Sequence, residues 1–199
     1  MKRSVFAAGI VLAGFAAVPA FAQSANQQFY VGIAGGGSHA SGGCTAGVSC
    51  DNNDTALKIY GGWMFSNDLS AELTYYNFGK FTAAEPGFDV AASLKPSYWG
   101  IGGAWRPSFS GTNWGGVLRA GAAYNQTKLD VTGLDEQSRD TWHPYLGAGL
   151  TYNVSKSVKV ELDYDWTRAA TQFTDPTSQT TTRGTTNVSA YTVGASFAF

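Results

Sequence analysis

The clearest regularity in this chain is a period of two. In "VKVELDYDW", Val158, Val160, Leu162, Tyr164 and Trp166 alternate with Lys159, Glu161, Asp163 and Asp165. An extended strand of that sequence has one wholly apolar face and one wholly charged face. "ALKIYGGWMF" sets Leu57, Ile59, Gly61, Trp63 and Phe65 against Lys58, Tyr60, Gly62 and Met64, and "LSAELTY" sets Leu69, Ala71, Leu73 and Tyr75 against Ser70, Glu72 and Thr74. The last residues repeat the pattern: Tyr191, Val193, Ala195, Phe197 and Phe199 alternate with small neighbours. The alternation predicts eight strands, over about 28–37, 55–65, 69–78, 94–106, 114–128, 142–153, 158–166 and 188–199.

The connections between them alternate in length. Residues 66–68, 107–113 and 154–157 are short, whereas 38–54, 79–93, 129–141 and 167–187 are long and rich in Ser, Thr, Asp, Asn and Gly. Short turns at one end and long loops at the other fit an all-β, eight-stranded antiparallel up-and-down transmembrane β-barrel. A soluble ligand-binding calyx would also alternate, with its large apolar residues inside. Here the second face carries Gly32, Gly62, Gly100, Gly102, Gly121, Gly147 and Gly149 together with Lys58, Glu72, Arg119, Glu161 and Asp163. An eight-stranded interior is only just wide enough for side chains, so glycines and a few charges suit it. The large apolar face then turns outward to lipid. Aromatics near its strand ends, Phe29, Trp63, Phe65, Tyr75, Trp99, Trp105, Tyr152, Trp166, Phe197 and Phe199, suit two interfacial girdles.

Composition agrees. Charged residues are 14% of the chain, against ~25% in ordinary soluble domains. The start, "MKRSVFAAGIVLAGFAAVPAFA", has Lys2 and Arg3, an apolar run and a small-residue site at Ala20-Phe21-Ala22. That is the pattern of a secretory signal peptide over residues 1–22, leaving residues 23–199 as one barrel domain. Losing Lys2 and Arg3 takes the formal charge from −1 to −3. No basic patch supports nucleic-acid binding. The only cysteines, Cys44 and Cys50, suit a small disulfide loop in an exported chain. They have no His or acidic partners at ligand spacing, so neither a metal nor another cofactor is expected.

"LRAGAAYNQTK", "PYLGAGLTYNVSKSVKVELDYDWT" and "AYTVGASFAF" together resemble the OmpA-type eight-stranded outer-membrane barrels, and "SAELTYYNFG" is similar to that family's third strand with its inward Glu. The resemblance spans the chain after the signal peptide. It implies an integral protein of the Gram-negative outer membrane, in contact with lipid and lipopolysaccharide. It implies that Tyr191, Val193, Phe197 and Phe199 form the C-terminal signal read by the outer-membrane assembly machinery. Two features depart from the family. Many OmpA-type proteins carry a peptidoglycan-binding domain after the barrel, and this sequence ends at Phe199. Some have a luminal gate. Glu72 and Arg119 fit inward charges of that gate, but Glu161 stands where the family has Arg, and Gly102 or Gly103 and Thr151 stand where it has Lys and Glu. That gate is therefore not carried over.

A different luminal network is expected, with Arg119 bridging Glu72 and Glu161 and serving as a structural plug. An ion-selective constriction is the alternative. Lipid-modifying barrel enzymes use a Ser and a His near the rim. The histidines here are His39 and His143, and Tyr145 occupies the serine position of the deacylase His-x-Ser pattern, with only Ser138 and Asp140 nearby. No enzymatic activity is expected. The long loops remain the place for a host or surface ligand.

Overall fold

Alternation at period two becomes strand throughout the computed structural model, which describes residues 28–41, 49–84, 91–131, 137–174 and 181–199. The strands are β1 (Phe29–Ser41), β2 (Ser49–Asp51), β3 (Asn53–Met64), β4 (Leu69–Asn77), β5 (Phe81–Ala84), β6 (Ala91–Trp105), β7 (Trp114–Val131), β8 (Gln137–Asn153), β9 (Val158–Thr174) and β10 (Thr181–Ala198). Eight of them form a closed antiparallel barrel: β1, β3, β4, β6, β7, β8, β9 and β10 pair in that order, and β10 returns to β1. At the seam the Phe199 amide donates to the Phe29 carbonyl (2.9 Å), and the Phe29 amide donates back (3.2 Å). Closure leaves no sheet edge in the belt, as a lipid environment requires.

The two short strands are a difference from the expected eight. β5 continues β4 along β6: Asn77 faces Ser97, yet Phe81 faces Leu94, so the β4–β5 run holds one residue more than its partner. This is a bulge. Gly79 takes the extra turn at φ 78°, a left-handed conformation that glycine adopts without a steric penalty. The Asn77 and Asp54 side chains accept the Gly79 and Lys80 amides there. β2 pairs with β5 in turn. The strands also run further than the alternation indicated. Parts of the expected loops 38–54, 79–93, 129–141 and 167–187 are strand, most of all in the β9–β10 hairpin, which pairs out to Thr174 and Thr181.

The outward face is apolar between two aromatic rows. At the short-turn end, Trp114 packs on Tyr152 (5.0 Å) and Phe29 on Phe199 (6.3 Å). At the long-loop end, Tyr75, Trp99, Tyr124 and Trp142 lie in register across four strands, and Tyr164 packs on Tyr191 (4.8 Å). Ile33, Ile59, Leu73, Ile101, Leu162 and Val193 are exposed between them. Among the described residues no helix is long and apolar enough to cross a membrane; the strands carry the apolar belt.

Candidate functional site

The inward face gathers the charges. Lys58 of β3, Glu72 of β4, Arg119 of β7, and Glu161, Asp163 and Asp165 of β9 all point into the lumen, each at most 2% exposed. Arg106, one residue past β6, folds in beside them at 5%. These side chains occupy the half of the lumen nearer the short turns.

Arg119 is the hub. Its Nε donates to Glu72 Oε1 (2.9 Å), Nη2 to Glu161 Oε2 (2.7 Å) and Nη1 to Asp163 Oδ1 (2.9 Å). Arg106 spans two of the same carboxylates, through Nη1 to Glu161 Oε1 (2.7 Å) and Nη2 to Glu72 Oε2 (3.1 Å). Lys58 Nζ reaches Asp165 Oδ2 (2.8 Å) and Asp163 Oδ2 (3.3 Å). Neutral donors fill in: the Tyr30 hydroxyl donates to Glu72 (2.9 Å), Ser196 to Glu161 (2.9 Å) and Thr74 to Glu72 (3.1 Å). The Arg106 guanidinium also lies over the Tyr30 ring (4.3 Å), and that of Arg119 over Tyr60 (5.0 Å). Glycines make room for these rings. Gly32 faces Tyr60 and Gly62 faces Tyr30 across the β1–β3 ladder, and a Cβ on either glycine would overlap the ring opposite.

Above the charges the lumen changes character. Tyr76 stacks on Phe78 (4.4 Å), Tyr98 packs on Tyr76 (5.5 Å), and Tyr145 stacks on Tyr98 (5.6 Å). Ala40, Ala56, Ala123, Ala169, Val188 and Ala190 close around them, all buried. The expected girdles accounted for aromatics only on the outward face. These inward rings are a second aromatic population, at the long-loop end of the lumen.

Of the expected site residues, Lys58, Glu72, Arg119, Glu161 and Asp163 meet in one cluster. Arg106 and Asp165 complete it and were not singled out from sequence. Gly102 and Thr151, at the departures from the family gate, lie on the luminal side, and a Cβ on Gly102 would overlap the Ala120 backbone. Tyr191, Val193 and Phe199 face outward. Cys50 is disulfide-bonded. Cys44 lies outside the described residues, as does the expected signal segment, residues 1–22. The rim residues do not converge. His39 Nδ1 sits 3.0 Å from Asn53 Oδ1 at an exposed position. Asp140 accepts a hydrogen bond from the Tyr124 hydroxyl (2.8 Å) on the outer surface, in the alternation opposite to His143.

A closed eight-stranded barrel with this belt has recognisable relatives. The family model described as "Outer membrane protein beta-barrel domain" matches residues 8–199. The chain belongs to that family. As an outer membrane protein beta-barrel it is an integral protein of the Gram-negative outer membrane. Among solved structures it is similar to Neisserial surface protein A (14% identity, covering 86% of this chain and 97% of that one, TM-score 0.58). It is also similar to outer membrane protein W of E. coli (16%, 86% and 97%, TM-score 0.52) and to the N-terminal barrel of Pseudomonas aeruginosa OprF (14%, 85% and 97%, TM-score 0.50). At these identities the likeness is one of fold. Comparison with curated protein sequences finds no match.

Proposed function

We propose that this barrel is a closed, non-enzymatic scaffold that holds its long loops at the cell surface. The observation that carries the reading is the filling of the lumen along its length. Seven buried charged side chains interlock in the half at the short turns, and Tyr76, Phe78, Tyr98 and Tyr145, each at most 1% exposed, occlude the half at the long loops. Such a lumen is a plug. Its ion pairs tie β3, β4, β7 and β9 together, so removing one cation leaves buried carboxylates short of compensating charge.

On this reading the outward apolar face contacts outer-membrane lipid, and the rim above the second aromatic row meets lipopolysaccharide. The C-terminal strand, with Tyr191, Val193, Phe197 and Phe199 on its outer side, engages the assembly machinery. A surface ligand or host molecule would be bound by the long loops, since a rigid scaffold with extended loops is the usual arrangement for recognition. Among the described residues, His143 and Asp140 point to opposite sides of β8, so they do not form an acid–base pair.

The test is planar-bilayer recording of the refolded barrel, with heat-modifiable gel mobility as the check of folding. The reading expects a folded barrel with no discrete openings. Reproducible openings of a narrow pore would overturn it in favour of an ion channel.

A further inference from the structure

The fully buried part of the luminal network is not charge-balanced. Lys58, Arg106 and Arg119 supply three positive charges, and Glu72, Glu161, Asp163 and Asp165 supply four negative ones, all buried. Lys159, at the short-turn rim of β9, is only partly buried; its charge acts on Glu161 and Asp68 rather than on Asp165, and it forms no ion pair with the four. A net buried charge is costly enough that the group responsible ordinarily neutralises instead. The contacts identify the group. An ionised carboxylate accepts at both oxygens. Glu72 accepts four hydrogen bonds, from Arg119, Arg106, Tyr30 and Thr74. Glu161 accepts three, from Arg106, Arg119 and Ser196. Asp163 accepts two, one on each oxygen. Asp165 accepts one, from Lys58 on Oδ2, while its buried Oδ1 has no partner.

We propose that the folded barrel binds one proton at Asp165, so that this residue is a neutral carboxylic acid at the boundary between the charged and the aromatic halves of the lumen. The inference rests on the closed-lumen reading and adds to it a proton site. The surroundings favour a proton over a metal cation. A Cβ on Gly147, which faces Asp165 in the β8–β9 ladder, would overlap Oδ1, so that side is filled by backbone. Among the described residues no group of three or more His, Cys, Asp or Glu side chains could hold a metal ion. The charged and titratable groups facing Asp165 are Lys58 of β3, Tyr76 of β4, Tyr98 of β6, Arg119 of β7, Tyr145 of β8 and Asp163 of its own strand. Only Lys58 touches it with a positive charge, and Lys58 is shared with Asp163.

The sign of the pH effect follows. A proton held by the folded barrel and not by the unfolded chain makes stability fall as pH rises. One such proton shifts the unfolding equilibrium about tenfold per pH unit above the ordinary carboxylate range. The test is infrared spectroscopy of the folded barrel in liposomes at neutral pH, wild type against Asp165→Asn, with planar-bilayer recording on the same protein. The proposal expects a protonated-carboxyl carbonyl band in the wild type that Asp165→Asn removes. It also expects that this variant unfolds at the same denaturant concentration as the wild type in acid, near the ordinary carboxylate range, loses the pH slope, and is therefore the more stable of the two at neutral pH. Absence of the band in folded wild-type protein would overturn the proposal even if the variant failed to fold. So would a band that persists in Asp165→Asn, or a destabilisation as large as that of Glu161→Gln. A silent barrel without the band refutes the proton site alone, whereas a conducting barrel refutes the closed lumen.

Discussion

On the closed-lumen reading, the two halves of the lumen close the same space by opposite means. Near the short turns, closure is electrostatic: three cations and four carboxyl groups interlock, with Arg119 touching Glu72, Glu161 and Asp163 at once. Near the long loops it is steric: four aromatic rings and a set of alanines pack with no ion pair among them. The difference teaches where each kind of filling is affordable. Charges are tolerable in the short-turn half, where glycines on the opposing strands let side chains from different strands meet. Apolar rings can fill the other half on dispersion and burial alone, and leave no charge to be satisfied.

The comparison can be broken one layer at a time. The largest effect is expected from Arg119→Ala, which takes a shared cation from three buried carboxylates, leaves only Arg106 and Lys58 to face four carboxyl groups, and should cost ~3–5 kcal/mol. Denaturant unfolding in detergent, followed by gel mobility, measures it. Phe78→Ala opens a cavity in the aromatic half and should cost ~3 kcal/mol, at the lower end for such a truncation because Tyr76 and Tyr98 can relax into it. This loss should be insensitive to salt and pH. Outside the lumen, Leu73→Arg puts a charge in the apolar belt and should cost ~2 kcal/mol in a bilayer. The cost should shrink in detergent. The smallest change is expected from Tyr76→Phe, which keeps the ring packed on Phe78 and Tyr98 and removes only a hydroxyl with at most a weak contact to Thr192. Its stability should stay within ~0.5 kcal/mol of wild type. A large loss there would mean that the aromatic half also depends on hydrogen bonding.

Much of this was legible in the residues, for a physical reason. Lipid on one side and a narrow lumen on the other impose a strict alternation, so Leu162 and Glu161 announce their faces as neighbours. The luminal charges were readable for the same reason. Arg106 was not, because it follows Trp105 at a strand end where the alternation stops, and only the fold shows its side chain turning back inside. Asp165 stood on the charged face, but nothing in its spacing distinguishes it from Asp163; the difference lies in contacts. The alternation puts Tyr76, Tyr98 and Tyr145 on the face of Glu72, Gly100 and Gly147, but nothing in their spacing shows that rings from three strands meet in one stack; only the fold brings them together. The strand ends were short for a related reason. Beyond the belt, "TTRGTTN" has no lipid face to satisfy, so β10 continues there without a period-two signature.

The most direct measurement of the two-layer closure is ion conductance of four proteins side by side: wild type, Arg119→Ala, Phe78→Ala and the double variant, each shown to be folded. The account predicts silence from the wild type and from each single variant, since one layer still blocks the path, and current only from the double variant. Discrete wild-type openings altered by Arg119→Ala alone would contradict it, and would make the charged half a gate.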